Sequence, residues 1–276
     1  MTPRLPQWVT FASISVALGS AYMYAAGAPS YYIVVNIAAL GVGSLAAWLI
    51  GRAPADTPRV AGVGTVAVAI VLLGTALLGP RVDATSRWIQ IAGISLQPSL
   101  ILLPLVIVLF AKIPDSLSSI GMLLIGIALA LQPDRAMAGT LTIALAVLRF
   151  YRSNAPLTLS LAAASVGFTV TLLRRDDVPP APFVEHVVQS AFAFHPFAGL
   201  ALVAALVIML LPAIVGLMTQ TERSSEFAVF SATWLGVIAF ALVGNYPTPM
   251  VGYGSSGIVG YCLSAALLGR RPLDPK

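Results

Sequence analysis

The chain has 276 residues, 58% of them hydrophobic and only 9% charged, against about 25% charged in an average soluble domain. Fifteen basic and ten acidic residues, with a net charge of +5, are too few to clothe a water-facing surface, so most of the surface must face a lipid bilayer. The basic residues stand one or two at a time between apolar segments, a pattern of membrane flanks that excludes a groove for nucleic acid, and the single cysteine, Cys262, excludes an internal disulfide or a cysteine metal site.

Ten apolar segments follow in chain order: 8–27, 31–51, 60–79, 96–112, 116–132, 135–151, 156–173, 197–218, 227–244 and 253–269. A spanning helix needs about 20 such residues. The expectation is an all-α fold, a single polytopic transmembrane domain over 1–276 with about ten helices. The segment 8–27 reads as the first spanning helix, not a removed signal peptide. The segments 96–112 (with Pro98 and Pro104), 116–132 and 253–269 are short or interrupted. Tilted or broken helices buried by their neighbours fit them, and the count falls to nine or eight if some re-enter.

An even count puts both termini on one side. With the N-terminus cytoplasmic, the inner side holds Arg4, Arg52, Arg59, Lys112, Arg149, Arg152, Arg223, Arg270, Arg271 and Lys276. The outer side holds only Arg81, Arg87, Arg135, Arg174 and Arg175. This bias gives cytoplasmic N- and C-termini. Two outer connections exceed a tight turn, 80–95 and 174–196, and the other connections leave no room for a soluble domain. The segments show no clear internal repeat, which speaks against an inverted-repeat transporter.

The polar islands lie between these segments. In "RWIQIAGISLQPS", Arg87 to Ser99, apolar Trp88, Ile89, Ile91 and Ile94 alternate with Arg87, Gln90 and Ser95. A short amphipathic element at the interface, anchored by Trp88, fits this, as do ordinary interface residues. In "LQPDRAMAGT", Leu131 to Thr140, Pro133 ends one helix and Asp134 either caps the next or lines an outward cavity with Gln132. Arg135 suits an anionic headgroup or a pyrophosphate.

The long outer loop carries Arg174, Arg175, Asp176, Asp177, Glu185, His186, Gln189 and His195. His186 and His195 have no third ligand at a compelling spacing, so no metal site is expected. Phe183, Val187, Ala191 and Phe194 form a helical stripe that would pack back on the membrane surface. Glu185 and His186 are acid–base candidates. "GNYPTPMVGYGSSG", Gly244 to Gly257, reads as irregular backbone that either lines a cavity or serves as a plain linker.

Taken together, these islands resemble the boxes of one family. "RWIQIAGISLQPS" is similar to its first box, "QPDRAMAGT" to its "QPDLGTA" box, "EHVVQS" (Glu185 to Ser190) faintly to its outer-loop box, and "PTPMVGYGSSG" to its "LPFISYGGSS" box before the last helix. The family is the SEDS group, typified by RodA and FtsW. The resemblance implies a SEDS-like fold in the bacterial inner membrane. It implies polymerisation of lipid II into glycan strands outside the membrane, with release of undecaprenyl pyrophosphate. It further implies a class B penicillin-binding partner and, if the chain is catalytic, a divalent cation.

By position, Arg87, Trp88, Gln97, Pro98 and Ser99 match the first box and Gln132, Pro133, Asp134, Gly139 and Thr140 the second. His186, Gln189 and Ser190 match the loop box, and Pro247, Pro249, Tyr253, Gly254, Ser255 and Ser256 the last. These residues, with Arg135 and His195, supply the substrate-binding candidates.

The departures bear on catalysis. The family's glutamate after QPS is Leu100 here, and its nearby lysine is Leu103. The family continues its outer loop into an "HTDFIF" segment whose aspartate is thought catalytic. Here "AFAFHPFAGL" runs from Ser190 straight into the next helix, with His195 followed by Pro196 and Phe197. The catalytic candidates are therefore Glu185, His186, Asp176 and Asp177. Three readings stand: a divergent polymerase or glycolipid-handling enzyme, a non-catalytic scaffold for an envelope complex, and a transporter of lipid-linked solutes.

Overall fold

The computed structural model describes residues 7–52, 57–91, 93–176, 178–219 and 221–268. The first half contains α1 (Gln7–Ala25), α2 (Ser30–Arg52), α3 (Pro58–Leu78), a hairpin of β1 (Ile89–Ile91) and β2 (Ile94–Leu96), α4 (Pro98–Lys112) and α5 (Ser116–Leu131). The second contains α6 (Arg135–Tyr151), α7 (Ala155–Leu172), α8 (Val187–Phe194), α9 (Pro196–Ile208), α10 (Leu211–Thr219), α11 (Ser224–Val243) and α12 (Ser255–Leu268).

Local chemistry sets the boundaries. Thr57 accepts a hydrogen bond from Val60 N ahead of Pro58, Asp115 and Ser118 form a reciprocal capping box, and Asn154 accepts from Leu157 N. Each satisfies backbone donors that a helix start leaves without partners.

A helix lies on every one of the ten apolar segments, with 197–218 divided into α9 and α10, bent by 40°. The expectation of about ten spans is nevertheless corrected. Among the described residues, five helices are long and apolar enough to cross a membrane: α1, α2, α3, α7 and α11, or six if the bent pair counts as one span. Of the remaining segments, α4, α5, α6 and α12 have only 15, 16, 17 and 14 residues. At about 1.5 Å per residue such helices reach well short of a ~30 Å hydrocarbon core. Pro98, Asp115 and the Gln132–Asp134 turn cut them short.

Their position explains how short helices persist in this chain. α4 and α12 are almost wholly buried and pack on one another; α2 lies against α12, and α11 lies against α4 and α6. Around this centre, α3 packs on α5, α5 and α6 on α7, and α1 on α9. The long peripheral helices turn large apolar side chains outward, among them Val34, Ile37, Val42, Leu45 and Leu49 of α2. Polar side chains such as Ser15, Asn36, Thr65 and Asp134 are buried. Apolar outside and polar inside is the arrangement lipid selects.

The interfacial element expected at 87–96 is an antiparallel hairpin pairing Ile89 with Leu96 and Ile91 with Ile94, a small exception to the all-α expectation. Of the expected apolar stripe, Val187, Ala191 and Phe194 lie in α8, which packs on α9, whereas Phe183 precedes the helix in left-handed backbone.

One end of the bundle is tied by charge. Glu226 of α11 lies 2.7 Å from Arg223 and 3.7 Å from the buried Lys112 that ends α4. Arg223 also donates to Leu268 O at the end of α12, and Arg152 donates to Lys112 O at 3.1 Å. The opposite end, where α4, α6 and α12 begin, stays open and carries the polar islands.

Candidate functional site

At that open end the segment before α4 meets the segment before α12. Gln97 N donates to Ser256 Oγ at 2.9 Å, joining two stretches 159 residues apart. The 247–254 segment is fixed from two sides. Buried Asn36 donates to Gly252 O at 2.9 Å and accepts from Gly254 N at 3.2 Å. From the outer loop, Phe183 O accepts from Tyr253 N at 2.6 Å and Val184 O from Thr248 N at 2.9 Å. Phe183, His186 and Met250, all at this junction, adopt left-handed backbone with φ of 65°, 53° and 66°. Non-glycine residues hold that conformation only where the surroundings impose it, which is frequent at functional sites.

These contacts enclose a cleft of about 330 Å³. Its walls include Trp88, Gln97, Leu100, Glu185, Tyr253, Ser255 and Ser256. Ser255 Oγ is buried and has no protein partner. Glu185 accepts from Ala181 N at 2.7 Å, and burial pushes its carboxyl above the usual glutamate range, partly offset by that hydrogen bond. Glu185 and Ala181 also border a second cavity of about 580 Å³, lined by Tyr22, Phe183, His186, Ser190 and Phe194.

Behind the cleft lies a buried polar network. Asp134 caps α6 through Met137 N at 3.2 Å and has no exposed surface. Its Oδ2 accepts from Gln97 Nε2 at 2.9 Å and Ser99 Oγ at 2.8 Å. Burial raises its carboxyl above the usual aspartate range, against the pull of Arg87 and these hydrogen bonds. Arg87 pairs with Asp176, and the two side chains are 2% and 3% exposed. Tyr246 donates to the other Asp176 oxygen. Burial and the Asp176 carboxylate both push the Tyr246 hydroxyl upward.

The candidates thus divide. Trp88, Gln97, Glu185, Tyr253, Ser255 and Ser256 share the cleft. Arg87, Asp134 and Asp176 stand in the network behind it. His186 faces Asn245 Oδ1 at 2.8 Å and, with Ser190, lines the second cavity. Gln189 donates to Leu242 O at 3.0 Å, Gln132 to Leu72 O at 2.7 Å, and Arg135 to Arg174 O at 3.1 Å. Buried Arg135 Nε has no partner. His195 is exposed, caps α9 and stacks on Phe197, away from the cleft. Asp177 lies outside the described residues.

Sequence reasoning passed over Asn36, Tyr32 and Tyr246. A polar residue inside an apolar helix was the available signal for Asn36. The donor set does not fit a divalent cation held by protein ligands. Among the described residues no three His, Cys, Asp or Glu side chains gather. Asp134 is occupied by three donors, and Asp176 by Arg87 and Tyr246.

No protein-family model matches the sequence, and no curated protein does. Solved structures do match. The chain is similar to the crystal structure of the rod shape determining protein RodA of Thermus thermophilus, with TM-score 0.68, 19% identity, and coverage of 95% of this chain and 94% of that one. An aspartate-to-alanine mutant of the same protein gives TM-score 0.67 at 19% identity over 97% of each chain. A structure described as the structural coordination of polymerization and crosslinking by a peptidoglycan synthase complex gives 0.65 at 21% over 97% of each. The chain has the RodA fold, the one the sequence boxes implied.

Proposed function

We propose that this chain is a multi-pass protein of the bacterial inner membrane that binds an undecaprenyl-linked glycan such as lipid II in the outer cleft and extends the glycan there. The observation that carries this reading is the meeting of two distant polar boxes, at Gln97 and Ser256, around a cleft that also holds the Glu185 carboxylate. In this reading both termini are cytoplasmic, and the short helices α4 and α12 are shielded by longer neighbours. The structure that shares the fold is described as coordinating polymerization and crosslinking, which supports a crosslinking partner, and the class B penicillin-binding protein is the one the sequence boxes imply.

Glu185 serves as the base. It takes the proton of the acceptor sugar hydroxyl as that oxygen attacks the anomeric carbon of the donor. The anomeric C–O bond breaks, and undecaprenyl pyrophosphate leaves with the bonding electrons. The raised Glu185 pKa makes the ionised carboxylate a stronger base.

A second reading, a scaffold that binds the glycolipid without polymerising it, is favoured by one observation. Where the family carries its aspartate, this chain runs through exposed His195 into α9. One experiment tests both. The full chain in lipid nanodiscs, with and without a class B partner, is given lipid II; binding is read by native mass spectrometry and polymer by gel. Polymer formation that Glu185→Gln abolishes supports the first reading. Binding without polymer supports the second, and no binding removes both.

A further inference from the structure

Three tyrosines gather at one wall of the cleft, two of them in its lining and Tyr31 against those two. Tyr32 and Tyr253 lie face to face, 3.7 Å between centroids and 8° from parallel. Tyr31 stands edge-on to both, 4.7 Å from Tyr32 and 6.1 Å from Tyr253. Tyr32 and Tyr253 line the cleft, and Tyr31 is 56% exposed.

Tyrosines near a bilayer surface are commonly interface anchors, and Tyr24 of α1, 79% exposed, is satisfied by that account. The cluster differs in being assembled. Tyr31 and Tyr32 come from the start of α2, whereas Tyr253 comes from the segment before α12. Its backbone N–H is held by Phe183 O, and the next residue is held by Asn36. A membrane anchor needs no such cross-chain fixing.

The chemistry around the rings selects a ligand. An aromatic face is electron-rich and attracts the electropositive C–H face of a pyranose ring. Beside the rings are a carboxylate, Glu185, an amide, Gln97, and the buried, unpartnered Ser255 Oγ. Such groups take sugar hydroxyls and N-acetyl groups. The cleft of about 330 Å³ is of a size that holds small ligands.

We infer that Tyr31, Tyr32 and Tyr253 form a carbohydrate-stacking subsite that seats a pyranose ring at that wall of the cleft, with its hydroxyls toward Glu185 and Ser255. This rests on the proposed function and adds that the sugar is recognised independently of its lipid. The subsite therefore binds a water-soluble oligosaccharide that has no polyprenyl chain.

The test uses the full chain in detergent with the tetramer of N-acetylglucosamine as probe, followed by saturation-transfer NMR from the tyrosine rings, with lipid II binding measured on the same preparation. The expected result is saturable binding and transfer concentrated on one face of a sugar ring. Tyr31→Leu weakens it roughly three- to tenfold and Tyr31→Phe retains it. Tyr31 is more than half exposed, so both variants should fold. Lipid II binding without oligosaccharide binding overturns the subsite and leaves the proposed function standing. Absence of both overturns both. Equal affinity in Tyr31→Leu and the wild type also overturns the subsite.

Discussion

The side-chain amide of Gln97 donates to the carboxylate of Asp134 at 2.9 Å, and this pairing sets which way Gln97 faces the cleft. A carboxylate accepts, so the amide NH2 must turn inward, and the amide carbonyl is left for the cleft that Gln97 lines. Asp134→Ala removes the cap of α6 and leaves the Ser99 hydroxyl without an acceptor, while the Gln97 amide keeps Ser99 Oγ at 3.2 Å. A loss of about 2–4 kcal/mol is expected, from about 1 kcal/mol for the cap and about 1–3 for the buried donor left unpaired. Asp134→Asn, which keeps the cap, should lose less. Thermal unfolding in detergent measures both, and an unchanged midpoint for Asp134→Ala contradicts the network.

The Arg87–Asp176 pair anchors the first part of the long outer loop to the segment before the hairpin. Both side chains are buried, so removing one leaves the other charged and without its partner. Breaking such a pair typically costs about 3–5 kcal/mol. Asp176→Asn and Arg87→Met should each destabilise the protein by that order. The double variant should lose clearly less than the sum, because residues in contact do not act additively. Additive losses in a chemical-denaturation cycle would show that the pair is not formed in solution.

Much of this architecture is legible in the sequence, and the gaps have physical causes. Each of the ten apolar segments is helical, 197–218 as the bent pair α9 and α10, and Pro98, Asp115, Asp134 and Asn154 mark helix starts. Their lengths are less legible: α4 and α12 look short until burial on both sides replaces lipid as their surroundings. The hairpin at 89–96 escapes because three-residue strands leave too little alternation to tell from an amphipathic helix. In the site, Asp134 as a cap follows from spacing, but its bond to Gln97 crosses 37 residues and no local pattern reports it. Tyr31 and Tyr32 resemble interface anchors until Tyr253 is brought against them.

Gly260 sets the spacing of the two central helices. A Cβ there would lie 2.2 Å from Leu100 O and 3.1 Å from Ile101 Cα, both backbone atoms of α4. Backbone cannot step aside as a side chain can, so Gly260→Ala must push α12 away from α4. Overpacking of this kind costs about 1–3 kcal/mol or more. The shift also displaces Ser256 from Gln97 N, so lipid II binding should fall with stability. Gly41→Ala, with open space around the added carbon, is the control and should be silent in both measurements.

Glu185 ties stability and chemistry to pH in opposite senses. Burial raises its folded-state pKa above the unfolded value, so the folded chain holds this proton at a pH where the unfolded chain has released it. The stability it contributes is complete below the unfolded value, about 4.3, and is lost as pH rises through the folded value. A base must be ionised, so polymerisation should instead rise with pH across the same window. Glu185→Gln removes the titration. Its melting midpoint should match the wild type near pH 4 and gain on it toward about pH 8, as the wild type pays to bury its charge. The comparison cancels other titrating groups, Asp134 among them, because they are common to both proteins. Midpoints that run parallel from about pH 4 to 8 would mean that Glu185 titrates as an exposed side chain, and its assignment as the base in the cleft would fall with that result.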